Sequence, residues 1–169
     1  PLPEIQIFGG GAHAGRRIDI QDLMVMPLGA TSFAEALSVV ADVHRAAGRL
    51  LAQQGSLAGV ADEGGYWPAF ASNDDALEML VRAIEHAGYA PGHDVAISLD
   101  IAASEFGRTG RYTLAHDARD LDRDGMIELL VRWSEKYPIV SIEDPLAEDD
   151  LEGFARFTRA VGGKLQVVG

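Results

Sequence analysis

The sequence predicts an α/β fold in which a β-sheet with parallel strands is covered by amphipathic helices. Short apolar segments of strand length alternate along the chain with longer segments in which apolar residues recur at helical spacing. Most of the predicted strands are almost continuously apolar, which is typical of parallel strands buried on both faces. The chain has 169 residues, 47% of them hydrophobic, so it suits one domain with a sizeable core. An open doubly wound sheet and a closed eight-stranded barrel both fit this alternation.

The chain begins with two predicted strands, PEIQIF and IDIQDLMVMP, in which β-branched and long apolar residues alternate with polar ones. The segment TSFAEALSVVADVHRAAGRLLAQQG then changes to helical periodicity. Ser32 and Glu35 form a capping-box pattern at its start, and Gly55 stands where a C-terminal glycine is expected. The residues from Ser72 to Asp75 predict the start of a second helix, which ends before Gly88. Two helices therefore follow two strands.

The second half of the chain alternates between strands and helices. In order, the predicted elements are the strand DVAISLD, a helix from Met126 to Glu135, the strand YPIVSIED, a helix from Leu151 to Ala160 and the strand KLQVVG. We find no internal repeat beyond this alternation and no low-complexity segment that would mark a domain boundary.

The composition excludes several classes of partner and site. The formal net charge is −12 without a compensating basic cluster, which argues against a nucleic-acid partner. Cysteine is absent, so disulfides and thiolate zinc sites are excluded. No apolar run approaches the roughly 20 residues of a membrane span and no signal-peptide pattern is present, so we expect no membrane partner and a cytoplasmic location. An acidic chain that binds an anionic substrate typically needs a divalent cation and backbone amides.

Two segments resemble known ligand-binding motifs, but their residues do not have the spacing that these motifs require. The glycines of FGGGAHAGRR do not form G-x-G-x-x-G, and the segment lacks the lysine and the hydroxyl residue of a P-loop. The segment DLDRDGMIELLV imitates a calcium loop through Asp120, Asp122 and Asp124, but Val131 occupies the position of the bidentate glutamate. We interpret this second segment as a helix start, because acidic residues favour the positive end of the helix dipole.

Two successive strands end on carboxylates after runs that are otherwise apolar. VAISLD ends on Asp100, and PIVSIED ends on Glu143 and Asp144. Either carboxylate alone has an ordinary explanation, since aspartate commonly caps the next turn or helix. The tips of parallel strands, however, converge on the face where barrel enzymes build their active sites, and carboxylate oxygens suit a hard divalent cation. The pair therefore favours a shared metal site.

The segment ADEGGYWP offers a further acidic pair, Asp62 and Glu63, in an irregular loop. The two glycines that follow let the backbone approach a ligand closely. Two carboxyls in unequal environments suit general acid chemistry, because one can keep its proton while the other stays ionised. An ordinary acidic turn is the alternative. His13, in the first glycine-rich loop, is either a ligand-binding residue or a hydrogen-bonded structural histidine.

Four segments, in this order and with these helices between them, resemble the enolase family: GGAHAGRRIDIQDLMVMPLGA, ADEGGYWP, SLDIAASEFGRTGRY and YPIVSIEDPLAEDDLEGF. The resemblance extends over essentially the whole chain. It implies an enolase-type TIM barrel of the order ββαα followed by βα repeats, with the first five of eight strands present. Residues 1–169 would then form a partial catalytic domain, with the family's N-terminal domain and the last part of the barrel absent.

The same resemblance implies roles for individual residues. Asp100 and Glu143 match two ligands of Mg²⁺, and Glu63 matches the substrate-contacting acid that protonates the departing hydroxyl. His13 and Gln21 match residues that bind the phosphorylated substrate. The implied activity of the full-length protein is the magnesium-dependent, reversible dehydration of 2-phosphoglycerate, a phosphorylated hydroxy acid, to phosphoenolpyruvate in glycolysis. The full-length protein is expected to be a homodimer.

Two positions depart from the family pattern. Gly9 stands at the usual asparagine, and Asp22 stands at a glutamate of the catalytic constellation. Asp22 is therefore a candidate catalytic and substrate-binding residue with a shorter side chain, and a displacement near 1 Å can cost about a hundredfold in rate. A lyase acting on a related α-protonated carboxylate and a non-catalytic scaffold both stay open. The family's third metal ligand and catalytic lysine lie past Gly169, so we expect the fragment alone to be inactive.

Overall fold

A computed structural model describes all 169 residues as four α-helices and eight strands. The helices are α1 (Phe33–Gln53), α2 (Asn73–His86), α3 (Arg123–Lys136) and α4 (Leu151–Val161). The strands are β1 (Ile5–Gly9), β2 (Asp22–Met26), β3 (Ala96–Asp100), β4 (Gly107–Arg108), β5 (Arg111–Leu114), β6 (Arg119–Asp122), β7 (Ile139–Glu143) and β8 (Gln166–Val168). None of the helices combines the length and the apolar character that crossing a membrane requires.

The main sheet has the strand order β1-β2-β3-β7-β8 and is mixed rather than parallel. β3, β7 and β8 run parallel, as the alternation with helices predicts, whereas β1 with β2 and β2 with β3 are antiparallel. The prediction of parallel strands is thus confirmed for the alternating part of the chain, and the sequence analysis did not give the direction of the first two strands. Between β1 and β2 there is no crossover helix, and the two helices between β2 and β3 reverse the chain twice.

The five strands form an open sheet with β1 and β8 at its edges, so the expected barrel is not closed within this chain. A second sheet of three short antiparallel strands, β4-β5-β6, lies between β3 and α3 in the sequence, and the sequence analysis missed it. Its strands are two to four residues long and largely charged, and only Tyr112 and Leu114 are buried. An alternation so brief gives no clear strand signal.

The predicted helix starts are confirmed by hydrogen bonds at their N-termini. The Glu35 amide donates to the Ser32 hydroxyl oxygen at 3.2 Å, and the Asp75 amide donates to Ser72 at 3.0 Å. In the segment that imitates a calcium loop, the Gly125 amide donates to Asp122 at 2.9 Å, so this aspartate caps α3. Such caps satisfy amides that have no partner inside the helix.

The two faces of the main sheet differ in character. One face supplies Ile7, Leu23, Ile97 and Leu99 to the hydrophobic core, which also contains the inward faces of the helices. The opposite face, which we call the polar face, carries the residues that alternate with these: Gln6, Asp22, Met24, Ser98, Asp100, Ser141 and Glu143. The apolar face supplies the core packing that stabilises the fold. The side chains of the polar face are not needed for that packing and can form a site.

The small sheet is fastened to the rest of the fold by a buried aspartate at the start of α4. The carboxylate of Asp150 pairs with Arg123 at 2.7 Å, accepts a hydrogen bond from the Tyr112 hydroxyl at 2.8 Å and accepts another from the Gly153 amide at 3.0 Å. Burial alone raises the pKa of this carboxyl, but the hydrogen bonds and the guanidinium outweigh it, so the pKa lies below its ordinary value.

Replacement of Asp150 by Asn is expected to lower the free energy of unfolding by about 2–3 kcal/mol, because Arg123 and Tyr112 lose the charge that they stabilise. Urea denaturation measures this loss, with Asp149→Asn at the exposed neighbour as control. A lowered folded-state pKa gives stability that is present above the ordinary value of 3.8 and is lost as the pH falls through the folded-state value. The two proteins should therefore converge in strong acid; an equal difference at all pH values would contradict the assignment.

Candidate active site

Three carboxylates lie in a row across the polar face at one end of the main sheet. Asp22 at the start of β2 pairs with Asp100 at the end of β3, and Asp100 pairs in turn with Glu143 at the end of β7. We call these three residues the acidic row. The sequence analysis placed Asp100 and Glu143 together from their strand ends, and the antiparallel entry of β2 adds Asp22 to the same edge.

The acidic row concentrates negative charge in a partly buried place. Burial and the charges of Glu143 and Asp22 raise the pKa of Asp100 to about 7. The pKa of Asp22 is also raised, chiefly by burial with a contribution from Glu63, although the Gln6 amide opposes the rise. Burial and nearby carboxylates, Glu63 among them, raise the pKa of Glu143. Glu63 therefore acts electrostatically on both ends of the row.

Both oxygens of Asp100 accept hydrogen bonds that fix its orientation. The Gln21 side-chain amide donates to Oδ2 at 2.9 Å, and the Ala102 backbone amide donates to Oδ1 at 2.9 Å. The chain turns sharply after each strand, since Ala102 has φ +48° and Asp144 has φ +44°. Left-handed conformations at residues other than glycine are costly and cluster at functional sites.

The two predicted loop residues lie beside this row on separate loops. His13 and Glu63 are exposed, and the nearest acidic partner of His13 is Asp62, with 3.6 Å between Nδ1 and Oδ2. The charge of His13 lowers the pKa of Asp22, so the histidine lies within electrostatic range of the acidic row. The structure thus groups all six predicted site residues around one end of the sheet.

The loop with Glu63 is docked against β1 by backbone hydrogen bonds. The Gly9 amide donates to the Tyr66 carbonyl at 2.8 Å, and the Tyr66 amide donates to the Ile7 carbonyl at 2.9 Å. A Cβ at residue 9 would lie 2.5 Å from the Cβ of Ala61, so the loop approaches β1 closely only because this residue is glycine. The departure at Gly9 therefore has a packing reason.

The sequence analysis missed Gln6, a polar residue of this region. Its side chain is buried, its Nε2 donates to Asp22, and its Oε1 accepts from the Gly65 amide at 2.8 Å. In the sequence, Gln6 is a polar residue in an alternating strand, which is typical of a solvent-facing position. Only the pairing of β1 with β2 shows that it lies on the polar face beside the acidic row.

The acidic row fits part of a magnesium site in its chemistry. Carboxylate oxygens are the ligands that Mg²⁺ prefers, and burial, together with the neighbouring carboxylates, raises the pKa of Asp100. No group of three or more His, Cys, Asp or Glu side chains is arranged to hold a metal ion by itself. What Asp100 and Glu143 offer such an ion is two carboxylates at adjoining strand ends.

Comparison with known proteins agrees with these features. Residues 1–169 match the family model described as "Enolase, C-terminal TIM barrel domain". The chain is 46% identical over 169 residues to an enolase of Rubrobacter xylanophilus and 46% identical over 170 residues to enolase 1 of Methylococcus capsulatus. All of the chain is covered in both cases, but it spans only 39% and 40% of these relatives. The chain belongs to the enolase family, in the part that forms its C-terminal barrel domain.

Proposed function

We propose that the complete gene product containing this chain catalyses the magnesium-dependent, reversible dehydration of 2-phosphoglycerate to phosphoenolpyruvate. The observation that carries the proposal is the acidic row, Asp22, Asp100 and Glu143, with Glu63 acting on both of its ends. In a chain of the enolase family, such a row supports a hydro-lyase more than a scaffold, because repelling carboxylates destabilise a fold that does not use them.

In this proposal each residue has a defined task. Asp100 and Glu143 would hold Mg²⁺, whose positive charge would stabilise the carboxylate of the substrate when a base outside this chain takes the α-proton. Gln21 keeps Asp100 oriented through its 2.9 Å hydrogen bond. Glu63 gives a proton to the departing hydroxyl, and His13 binds the substrate at the opposite loop. Asp22 stands between these groups and contacts the substrate.

We also propose that the five strands of the main sheet are the first five of an eight-stranded barrel. The outer edge of β8 is unpaired, and that of β1 is paired only with the short segment at Tyr66, so backbone groups remain for further strands; an open apolar edge invites aggregation unless it is covered. The complete protein would close this barrel, carry a separate N-terminal domain and assemble as a homodimer in the cytoplasm.

A spectroscopic assay of phosphoenolpyruvate formation tests the activity directly. The complete gene product should convert 2-phosphoglycerate in the presence of Mg²⁺, and related phosphorylated and unphosphorylated hydroxy acids should react far more slowly. The shorter side chain at Asp22 favours a second candidate, a lyase for a related α-protonated carboxylate. Preference for another acid in the panel would establish this second candidate, and no reaction with any acid would contradict both.

Removal of magnesium is expected to abolish turnover reversibly. Treatment with a chelator should reduce the rate to background, because the acidic row then repels the anionic substrate. Added Mg²⁺ should restore the rate, while Na⁺ at matched ionic strength should not. A rate that persists after complete removal of divalent ions would exclude the proposed role of Asp100 and Glu143.

A further inference from the structure

The side chain of Gln6 connects two parts of the site that are far apart in the sequence. Its relative exposure is 4%, and both ends of its amide have partners. Nε2 donates to Oδ1 of Asp22, and Oε1 accepts from the amide of Gly65, two residues after Glu63. One buried amide therefore joins the acidic row to the loop of the proposed acid.

The space around Gln6 is shaped by two glycines. A Cβ at residue 65 would lie 2.6 Å from Oε1 of Gln6, and a Cβ at residue 9 would lie 3.1 Å from its Nε2. Side chains at Gly9 or Gly65 would therefore displace the amide from its present place. The absence of side chains at Gly9 and Gly65 makes room for the Gln6 amide, and its two hydrogen bonds hold it in one orientation.

The combined length of the Gln6 and Asp22 side chains fits the distance between their two backbone positions. The two residues lie on neighbouring antiparallel strands, where β1 is irregular between Gln6 and Phe8 and the partner of Gly9 is Asp22. Within this register, the long side chain of Gln6 reaches along the sheet to the short side chain of Asp22. Shortening one or lengthening the other by a methylene changes this fit, whereas both changes together conserve the total length.

We propose that Gln6 is a positioning residue that sets where the Asp22 carboxylate lies relative to the Glu63 loop. The inference rests on the proposed function for its effect on rate, but the Gln6–Asp22 coupling itself does not. Gln6 touches no reacting atom in this account. It acts by holding Asp22, whose displacement near 1 Å would cost about a hundredfold in rate.

The test is a cycle of Gln6→Asn, Asp22→Glu and the double variant in the complete gene product. Each single variant should lower kcat with 2-phosphoglycerate by about tenfold to a hundredfold and change KM by less than about threefold. The double variant should turn over faster than either single variant, because the hydrogen bond forms again. Gln53→Asn, an exposed change of the same kind on α1, should leave kcat unchanged.

Thermal unfolding of the same four proteins provides a readout that needs no activity. The Tm losses of the two single variants should be partly recovered in the double variant. Multiplicative losses of kcat together with additive shifts of Tm would overturn the inference. Recovery of Tm without recovery of kcat would also overturn it, since Gln6 would then be only structural. If the unsubstituted protein converts no substrate, the proposed function fails, and Tm alone decides whether Gln6 and Asp22 are coupled.

Discussion

Asp100→Asn and Glu143→Gln should each reduce kcat/KM for 2-phosphoglycerate by at least about a thousandfold. Each change removes the charge of a proposed metal ligand while keeping the size of the side chain. Electrostatic stabilisation of developing charge commonly contributes several kcal/mol to a barrier, and each 1.36 kcal/mol is about tenfold in rate. Steady-state kinetics at saturating Mg²⁺ measures the loss.

The stability of the metal-free protein distinguishes this loss from unfolding. The pKa of Asp100 rises from 3.8 to about 7 in the folded protein, so ionisation of this carboxyl destabilises the fold. The loss of folding stability caused by this ionisation grows as the pH rises from 3.8 to about 7 and stays constant at higher pH. Asp100→Asn removes this loss, so the variant should have the higher Tm above about pH 7 when metal is absent.

Glu128→Gln provides the control for a lost negative charge, because Glu128 is exposed on α3 away from the site. Its kcat/KM should match that of the unsubstituted protein. A loss in Glu128→Gln as large as that in Glu143→Gln would show that the effect comes from net charge. Near-normal activity of Asp100→Asn would contradict the role of the acidic row.

Glu63→Gln should lower kcat by about a hundredfold to ten-thousandfold, the range that general acid catalysis contributes. The amide keeps the length of the side chain but has no acidic proton for the departing hydroxyl. The matched variant, Asp62→Asn, alters the preceding residue of the same loop. Asp62 faces His13, with 3.6 Å between Oδ2 and Nδ1, and is not the proposed proton donor, so its loss should cost less than about tenfold.

The comparison of these two neighbours in single-turnover kinetics decides which carboxyl is the acid. The proposed assignment requires a large loss at Glu63 and a small loss at Asp62. The reverse order would move the role to Asp62 and its histidine partner. Equal losses would indicate that the loop contributes through its shape alone.

Local signals in the sequence were sufficient for the helices and for part of the site. Ser32 and Ser72 predict the starts of α1 and α2 because a cap is formed by residues three apart. The proximity of Asp100 and Glu143 follows from parallel neighbouring strands, whose ends lie at one edge of the sheet. These predictions need only short-range rules or the general geometry of βα units.

Features that depend on pairing between distant segments were not accessible in the same way. The direction of β1 and β2 follows from how the intervening chain reverses, and an apolar strand looks alike in either direction. The sequence pattern predicts that Gln6 faces solvent, and only the fold shows that its side chain contacts Asp22 and Gly65. The short strands β4 to β6 are stabilised by contacts such as that of Tyr112 with Asp150, which periodicity does not show.

Calorimetric titration with Mg²⁺ tests most directly whether the acidic row holds a divalent ion. The complete gene product should bind Mg²⁺ in the presence of a non-reacting substrate analogue. Asp100→Asn and Glu143→Gln should each weaken this binding by about a hundredfold, while Glu128→Gln should not change it. Equal magnesium affinity in all four proteins would contradict the account.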